Sequence, residues 1–211
     1  MEHDRQVMVR TQLAQRGICD AAVLDAMASI PRHLFVPEKL QRHAYEDRAL
    51  PIPDGQTISQ PFIVALMAQT LMLQGTERVL EIGTGSGYAA AVLSRLSAEV
   101  YTIERSHELA DRAHQLLSEL GYHNIHVINA DGSNGLPEHG PYGGISVPAA
   151  SPWVPLPLRR QLNEGGRMVI PVGGRHEQLL LRLTRRQDIV YTEQLGSVRF
   201  VPLVGDHAWN N

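Results

Sequence analysis

The sequence predicts a doubly wound α/β fold: a mostly parallel sheet with a helical N-terminal extension and an antiparallel C-terminal edge. Three observations carry that expectation. From Arg78 to Val172, short apolar runs alternate with helical patterns, as βαβ units require. A glycine loop, Gly83-Thr84-Gly85-Ser86-Gly87, sits between the first of those runs and a helix. From Leu179 onward three β-like runs follow with little room for helix between them, which suits antiparallel strands at one sheet edge.

In chain order, residues 4–16 read as a helix stopped by Gly17. Asp20 can cap a second helix, with Val23, Leu24, Met27 and Ile30 on one face and Pro31 at its end. Turns punctuated by Pro37, Pro51 and Pro53 fill the stretch to about Gln60. Pro61 opens a helix to Leu73, with Ile63, Leu66, Met67, Thr70 and Leu71 as its apolar stripe. Arg78–Ile82 is a buried strand, Tyr88–Leu96 a helix and Val100–Ile103 the second strand. Ser106 caps a helix that ends at Gly121, and Ile125–Asn129 is the third strand. Ile145–Val147 is a fourth, Leu156–Leu162 a short helix closed by Gly165-Gly166, and Arg167–Val172 a fifth. The C-terminal runs are Leu179–Leu183, Ile189–Leu195 and Val198–Leu203.

The chain has 211 residues and shows no repeat, low-complexity tract or long linker, so one domain over 1–211 is expected. Residues 1–60 form its extension and 61–211 its core. Nineteen Lys and Arg against 22 Asp and Glu leave a net charge of −3. That balance argues against a nucleic-acid-wrapping role, which needs dense positive charge. The single cysteine, Cys19, excludes an internal disulfide. The polar N-terminus and the lack of any apolar run near a membrane span point to a cytoplasmic protein with no membrane partner. The ten histidines are scattered without ligand spacing, so no metal is expected.

Chemistry concentrates in the glycine loop. Glycines at a strand-to-helix turn let a ligand approach the backbone, and backbone N–H groups can take an anionic group there. A dinucleotide site expects Gly-x-Gly-x-x-Gly, whereas this loop reads Gly-x-Gly-x-Gly and is preceded by an acid, Glu81. A pyrophosphate gains nothing from that carboxylate. S-adenosylmethionine, with an ammonium, a sulfonium and a carboxylate, suits it better. Glu104 ends the next strand, 19 residues after Gly85, where a carboxylate can bind ribose hydroxyls. Asp131-Gly132 follows the third strand and can reach the adenine side, or be a plain turn. Ser59 can cap the helix at Pro61 or orient a substrate oxygen, and Arg199 is a lone charge in an apolar run.

Several longer segments carry a resemblance. They are Pro31-Arg32-His33-Leu34-Phe35-Val36-Pro37, Gly55-Gln56-Thr57-Ile58-Ser59-Gln60-Pro61, Val79–Tyr88, Ile170-Pro171-Val172-Gly173 and Val198-Arg199-Phe200-Val201-Pro202-Leu203. Over nearly its whole length the chain resembles the protein-L-isoaspartate O-methyltransferases. The resemblance implies a seven-stranded, Rossmann-like class I methyltransferase sheet. It implies S-adenosylmethionine as cofactor, with S-adenosylhomocysteine as product, and methyl transfer to the α-carboxylate of L-isoaspartyl residues in damaged proteins or peptides. The ester then closes to a succinimide, which opens partly to aspartate.

Carried over residue by residue, Ser59 matches the active-site serine. Glu81, Gly83, Thr84, Gly85, Ser86, Gly87, Glu104, Asp131 and Gly132 match the cofactor site. Thr57, Ile58, Gln60, Val198, Arg199 and Val201 match the substrate site. The family pattern goes with a monomer. Two positions depart: Gly143 stands where the fourth strand would carry an aspartate, and Pro148 where its end would carry a threonine- or glycine-bearing turn. Alternatives left open by the residues are a methyltransferase acting on an ordinary aspartate of a dedicated peptide, a cofactor-binding protein with weakened turnover, and a nicotinamide oxidoreductase.

Overall fold

Residues 1–187 and 189–210 are described in a computed structural model. The chain opens with helix α1 (Glu2–Val7), which continues through a π-helical turn at Met8–Leu13 and a 3-10 turn at Ala14–Arg16. The Thr11 hydroxyl bonds the Val7 carbonyl, 2.8 Å away, and competes with the regular helix ladder there. Gly17, at φ +98°, ends the rod as expected. In α2 (Ala21–Ser29) the Asp20 carboxylate accepts the N–H groups of Ala22 and Val23.

Between α2 and residue 60, where the sequence reads as turns, a small antiparallel hairpin forms from β1 (Leu50–Pro51) and β2 (Thr57–Ile58). Then come α3 (Pro61–Leu71), β3 (Arg78–Ile82), α4 (Tyr88–Ser94), β4 (Glu99–Glu104), α5 (His107–Glu119) and β5 (Ile125–Asn129). The C-terminal half holds β6 (Tyr142–Ser146), α6 (Leu156–Arg160), β7 (Leu162–Gly173), β8 (Gln178–Arg186) and β9 (Ile189–Val198).

The large sheet has seven strands in the order β5-β4-β3-β6-β7-β8-β9. Pairs from β5 through β7 are parallel; β7–β8 and β8–β9 are antiparallel. Alternation along the strands sends residues to two cores. Val79 and Val100 meet the N-terminal helices, α3, α4 and α5. Leu80, Ile82, Tyr101 and Ile103 meet β6, α6 and the β7 residues Met168 and Ile170 on the other face. Strand order reverses direction between β3 and β6, and a crevice opens at the carboxyl ends of strands there. Among the described residues no helix is long and apolar enough to cross a membrane.

Two C-terminal expectations are corrected. The helix ends at Arg160, and β7 starts at Leu162 instead of Arg167. Its first residues pass Gly165, at φ +76°, with a shift of register against β6. Val198–Leu203 is not a strand. Past Val198 the chain leaves β9 and packs on Ala150, whose N–H donates to the Val201 carbonyl at 2.8 Å. The Leu203 N–H returns a bond to the Ala150 carbonyl at 2.7 Å. Pro202, lacking an N–H, cannot continue a ladder.

The paired glycines of β6 do not prevent strand formation. A Cβ on Gly143 would lie 2.5 Å from Cγ of Glu77, and one on Gly144 3.0 Å from Leu73 Cδ2. Neighbouring side chains occupy the room that larger residues would fill.

Candidate active site

The glycine loop is fastened to the sheet by its own backbone. Gly83 N–H and Thr84 N–H both reach the Ile103 carbonyl, at 2.8 and 3.3 Å, and Gly87 N–H reaches Thr84 O at 2.8 Å. Gly85, at φ +53°, donates its N–H to Glu104 Oε2 at 2.9 Å. These four donors are therefore engaged within the protein, and the loop offers a ligand close approach more than free N–H groups. Glu104 Oε1 accepts the Ser106 N–H at 3.0 Å. Each oxygen keeps a further lone pair for a ligand hydroxyl.

Glu81 lies behind the loop. It is 0% exposed, on the sheet face covered by the helices, and does not line the crevice. Thr84 Oγ1 lies 2.7 Å from Thr102 Oγ1, which in turn donates to Glu81 Oε2 at 2.6 Å. Burial, with a smaller push from the Glu104 charge, raises the Glu81 carboxyl to about 8 against the Thr102 bond, which lowers it. The carboxyl expected to meet a cation is thus a buried anchor under the loop, with its protonated form favoured by burial.

Asp131 is also turned away from the crevice. Its Oδ1 accepts Ser133 N–H and its Oδ2 accepts Asp206 N–H, both at 2.8 Å. Partial burial alone would raise its carboxyl; the bonds from Asp206 and Ser133, with Arg105 nearby, outweigh it and hold the group below the usual range. Gly132 does line the crevice, where a Cβ would come within 2.6 Å of Ile82 Cγ2.

Two cavities meet here. The crevice, about 410 Å³, is lined by Gly83, Gly85, Glu104 and Gly132, with Ile82 and Ile103 as apolar walls. A groove of about 590 Å³ is lined by Ser59, Gln60, Val198, Arg199 and Phe200. Thr57, Pro148, Val201 and Pro202 line both and form the throat between them. A smaller cleft joins Ser59 and Ile58 to Thr84 and Ser86. Of the expected residues, Glu81, Gly87 and Asp131 support the site from outside its lining.

Ser59 is not the helix cap. Gln60 occupies the N-cap of α3 and no side chain caps it. The Ser59 carbonyl is held instead by Arg32, whose Nη2 donates to it at 2.8 Å while Nε donates to Ala44 O at 2.8 Å. Arg32 is fully buried with its Cζ 4.7 Å from the centre of the Tyr88 ring, so it links the Ser59 segment to the first residue of α4. Burial lowers its pKa, with Tyr88 opposing.

Sequence reasoning missed Arg32, Ile82, Ile103, Arg175 and Pro202 as parts of the site. Ile82 ends β3 and Ile103 is the last residue but one of β4, positions at strand ends that could have singled them out. Phe200 both packs against the core beneath the helices and lines the groove.

A seven-stranded sheet of this order, a glycine loop after its central strand and an acid ending the next define the class I S-adenosylmethionine-dependent methyltransferase fold. A solved protein-L-isoaspartate O-methyltransferase superposes with a TM-score of 0.86 at 29% identity, over 97% of this chain and 67% of its own. A Plasmodium falciparum structure, described as a putative enzyme of that type in complex with S-adenosyl-L-homocysteine, gives 0.83 at 25% identity, over 95% and 98%. A protein-L-isoaspartate O-methyltransferase from Roseiflexus sp. (strain RS-1) is 59% identical over 207 residues, 98% of this chain and 94% of its own. One from Methanoculleus marisnigri is 53% identical over 206 residues, with the same coverage. Residues 3–208 match the protein-L-isoaspartate(D-aspartate) O-methyltransferase family, and the chain belongs to it.

Proposed function

We propose that this protein transfers the methyl group of S-adenosylmethionine to the α-carboxylate of L-isoaspartyl residues in damaged proteins and peptides. The observation that carries this is the throat: a cofactor-sized crevice and a peptide-sized groove meet at Thr57, Pro148, Val201 and Pro202, with Ser59 on the groove side.

The crevice fits the cofactor. Its volume lies within the usual range for small-molecule sites, about 300–1,000 Å³. Ile82 and Ile103 can flank a purine, and Glu104 has lone pairs for ribose hydroxyls. Gly132 leaves space that a side chain would close. When bound, S-adenosylmethionine supplies an electrophilic methyl group on a sulfonium sulfur.

The isoaspartyl carboxylate is already ionised at neutral pH, so no general base is needed. The chain's contribution is orientation and removal of water. Ser59 Oγ, which caps no helix, donates to one carboxylate oxygen and aims the other at the throat. Arg32 holds the Ser59 backbone in place, Thr57 and Val201 flank the acceptor, and Pro148 keeps the junction apolar. Gln60 and the Val198–Arg199 backbone contact the flanking peptide. After release, the peptide nitrogen following the ester attacks it, methanol leaves, and the succinimide hydrolyses in part to aspartate.

A monomer goes with this activity, as the family pattern implies. A cytoplasmic setting goes with this activity, where an exposed lone thiol such as Cys19 stays reduced.

The test is transfer of labelled methyl to an isoaspartyl peptide, with the matched aspartyl peptide and Ser59→Ala alongside. Base-labile label on the isoaspartyl peptide, reduced in the variant, is expected. Label on the aspartyl peptide alone would overturn the repair reading in favour of a dedicated carboxyl methyltransferase.

A further inference from the structure

The peptide groove carries charge of one sign. Two guanidiniums, Arg175 and Arg199, line it, and among the described residues no carboxylate does. The whole chain is net negative, so this is a local arrangement. Both arginines are exposed, and among the described residues neither is ion-paired to a carboxylate. Neither lines the cofactor crevice or the cleft beneath Ser59. They therefore stand beside the path of the peptide and not at the throat where the reacting carboxylate must sit.

Their positions are tied together. Gln178, 3% exposed, donates from Nε2 to the Gly174 carbonyl at 2.7 Å and accepts the Phe200 N–H on Oε1 at 2.9 Å. It thus joins the β7–β8 loop bearing Arg175 to the segment bearing Arg199. Arg175 Cζ lies 5.2 Å from the centre of the Trp209 ring. A guanidinium stacked on an aromatic face keeps its edge N–H donors for a carboxylate. Arg175 also lines a side pocket of about 170 Å³ that continues the groove past Phe200 and Pro202. That pocket has room for a flanking side chain.

We propose that the groove selects isoaspartyl sites with an acidic residue close by in the sequence, whose carboxylate binds Arg175 and Arg199. This rests on the activity proposed above. It implies that damage in acidic, solvent-exposed segments is handled first. Because both cations are exposed, the preference is modest and falls with ionic strength.

The experiment compares isoaspartyl peptides identical except for Glu or Gln at positions flanking the damaged residue. Methyl transfer is followed at low and high salt with wild type, R175Q, R199Q and the double variant. Wild type is expected to show kcat/KM about five-fold higher for the best-placed Glu peptide at low salt. The gap should lie in KM, shrink with salt and vanish in the double variant. Equal kcat/KM for Glu and Gln peptides at every position, or a gap that survives R175Q/R199Q, overturns the proposal. Fluorescence anisotropy of labelled Glu and Gln peptides gives a separate reading. If no isoaspartyl peptide is methylated the activity fails, yet tighter binding of the Glu peptide, lost in the double variant, still supports the selection.

Discussion

The cofactor crevice and the peptide groove share four residues yet are assembled by different means. The crevice is floored by consecutive strand ends, with Gly83 and Gly85 after β3, Glu104–Ser106 at the end of β4 and Gly132 after β5, and is closed by Asp54, Gln56, Thr57 and Val201–Val204. Its pieces are tied to one another across neighbouring strands, as when Gly85 N–H meets the Glu104 carboxylate. The groove is gathered from the β1–β2 hairpin, the end of β6, the β7–β8 loop and the chain past β9. Its walls are held by long-range ties: Arg32 to Ser59, Gln60 Nε2 to the Asp47 carbonyl and Gln178 to Phe200. The charges differ as well. Asp54 and Glu104 line the crevice beside Arg105, whereas Arg175 and Arg199 line the groove. A cationic cofactor and an anionic peptide thus have complementary sides of one throat. The crevice should therefore tolerate changes in the groove, while the groove depends on distant supports.

The largest expected effect concerns the layer under the crevice. Between about pH 4.5, the ordinary carboxyl value, and about 8, Glu81 binds its proton more tightly folded than unfolded. Its contribution is then complete below pH 4.5 and is lost as pH rises toward 8, by up to about 1.4 kcal/mol per unit. Urea unfolding across that range should show wild type weakening relative to Glu81→Gln, which has no proton to lose. Parallel curves would show that Glu81 is ionised in the fold.

Next comes the groove's support. Arg32→Met leaves the carbonyls of Ala44 and Ser59 unpaired and should cost about 2–3 kcal/mol of stability. At a temperature where the variant remains folded, peptide kcat/KM should fall by a larger factor than cofactor affinity. Equal losses would mean that the two regions are not separately supported.

Ser59→Ala sharpens the contrast at the throat. Losing one bond to a charged group, about 2 kcal/mol, should lower peptide kcat/KM about thirty-fold and leave the cofactor Kd unaltered by calorimetry. Glu104→Gln should do the reverse and by less. Cofactor binding weakens about ten-fold, while peptide KM at saturating cofactor stays as in wild type. A rise in that KM would place Glu104 in both regions.

The same division explains what was legible in the sequence. Strands β3, β4 and β5, the glycine loop and the acid at Glu104 follow from local periodicity and spacing, so they could be read directly. The resemblance extended that reading to Ser59 and its neighbours, because Gly55–Pro61 is distinctive as a string. Side-chain direction was not legible. Glu81 and Asp131 sit at the expected strand ends, but one points under the loop and the other binds the Asp206 N–H. Arg32 lies in a segment that carries the resemblance, yet only its fully buried position shows it to be a brace. Val198–Leu203 has β composition, yet Pro202 and the bonds to Ala150 take it out of the sheet.

The crowding of Glu77 against Gly143 has an evolutionary corollary. An aspartate, the residue the family pattern expects at position 143, would bring its Cβ onto the Glu77 stem, whose carboxylate is occupied with the N–H groups of Gln74 and Thr76. The two sites are therefore epistatic. The side chain at 77 must shorten or swing aside for 143 to carry a carboxylate.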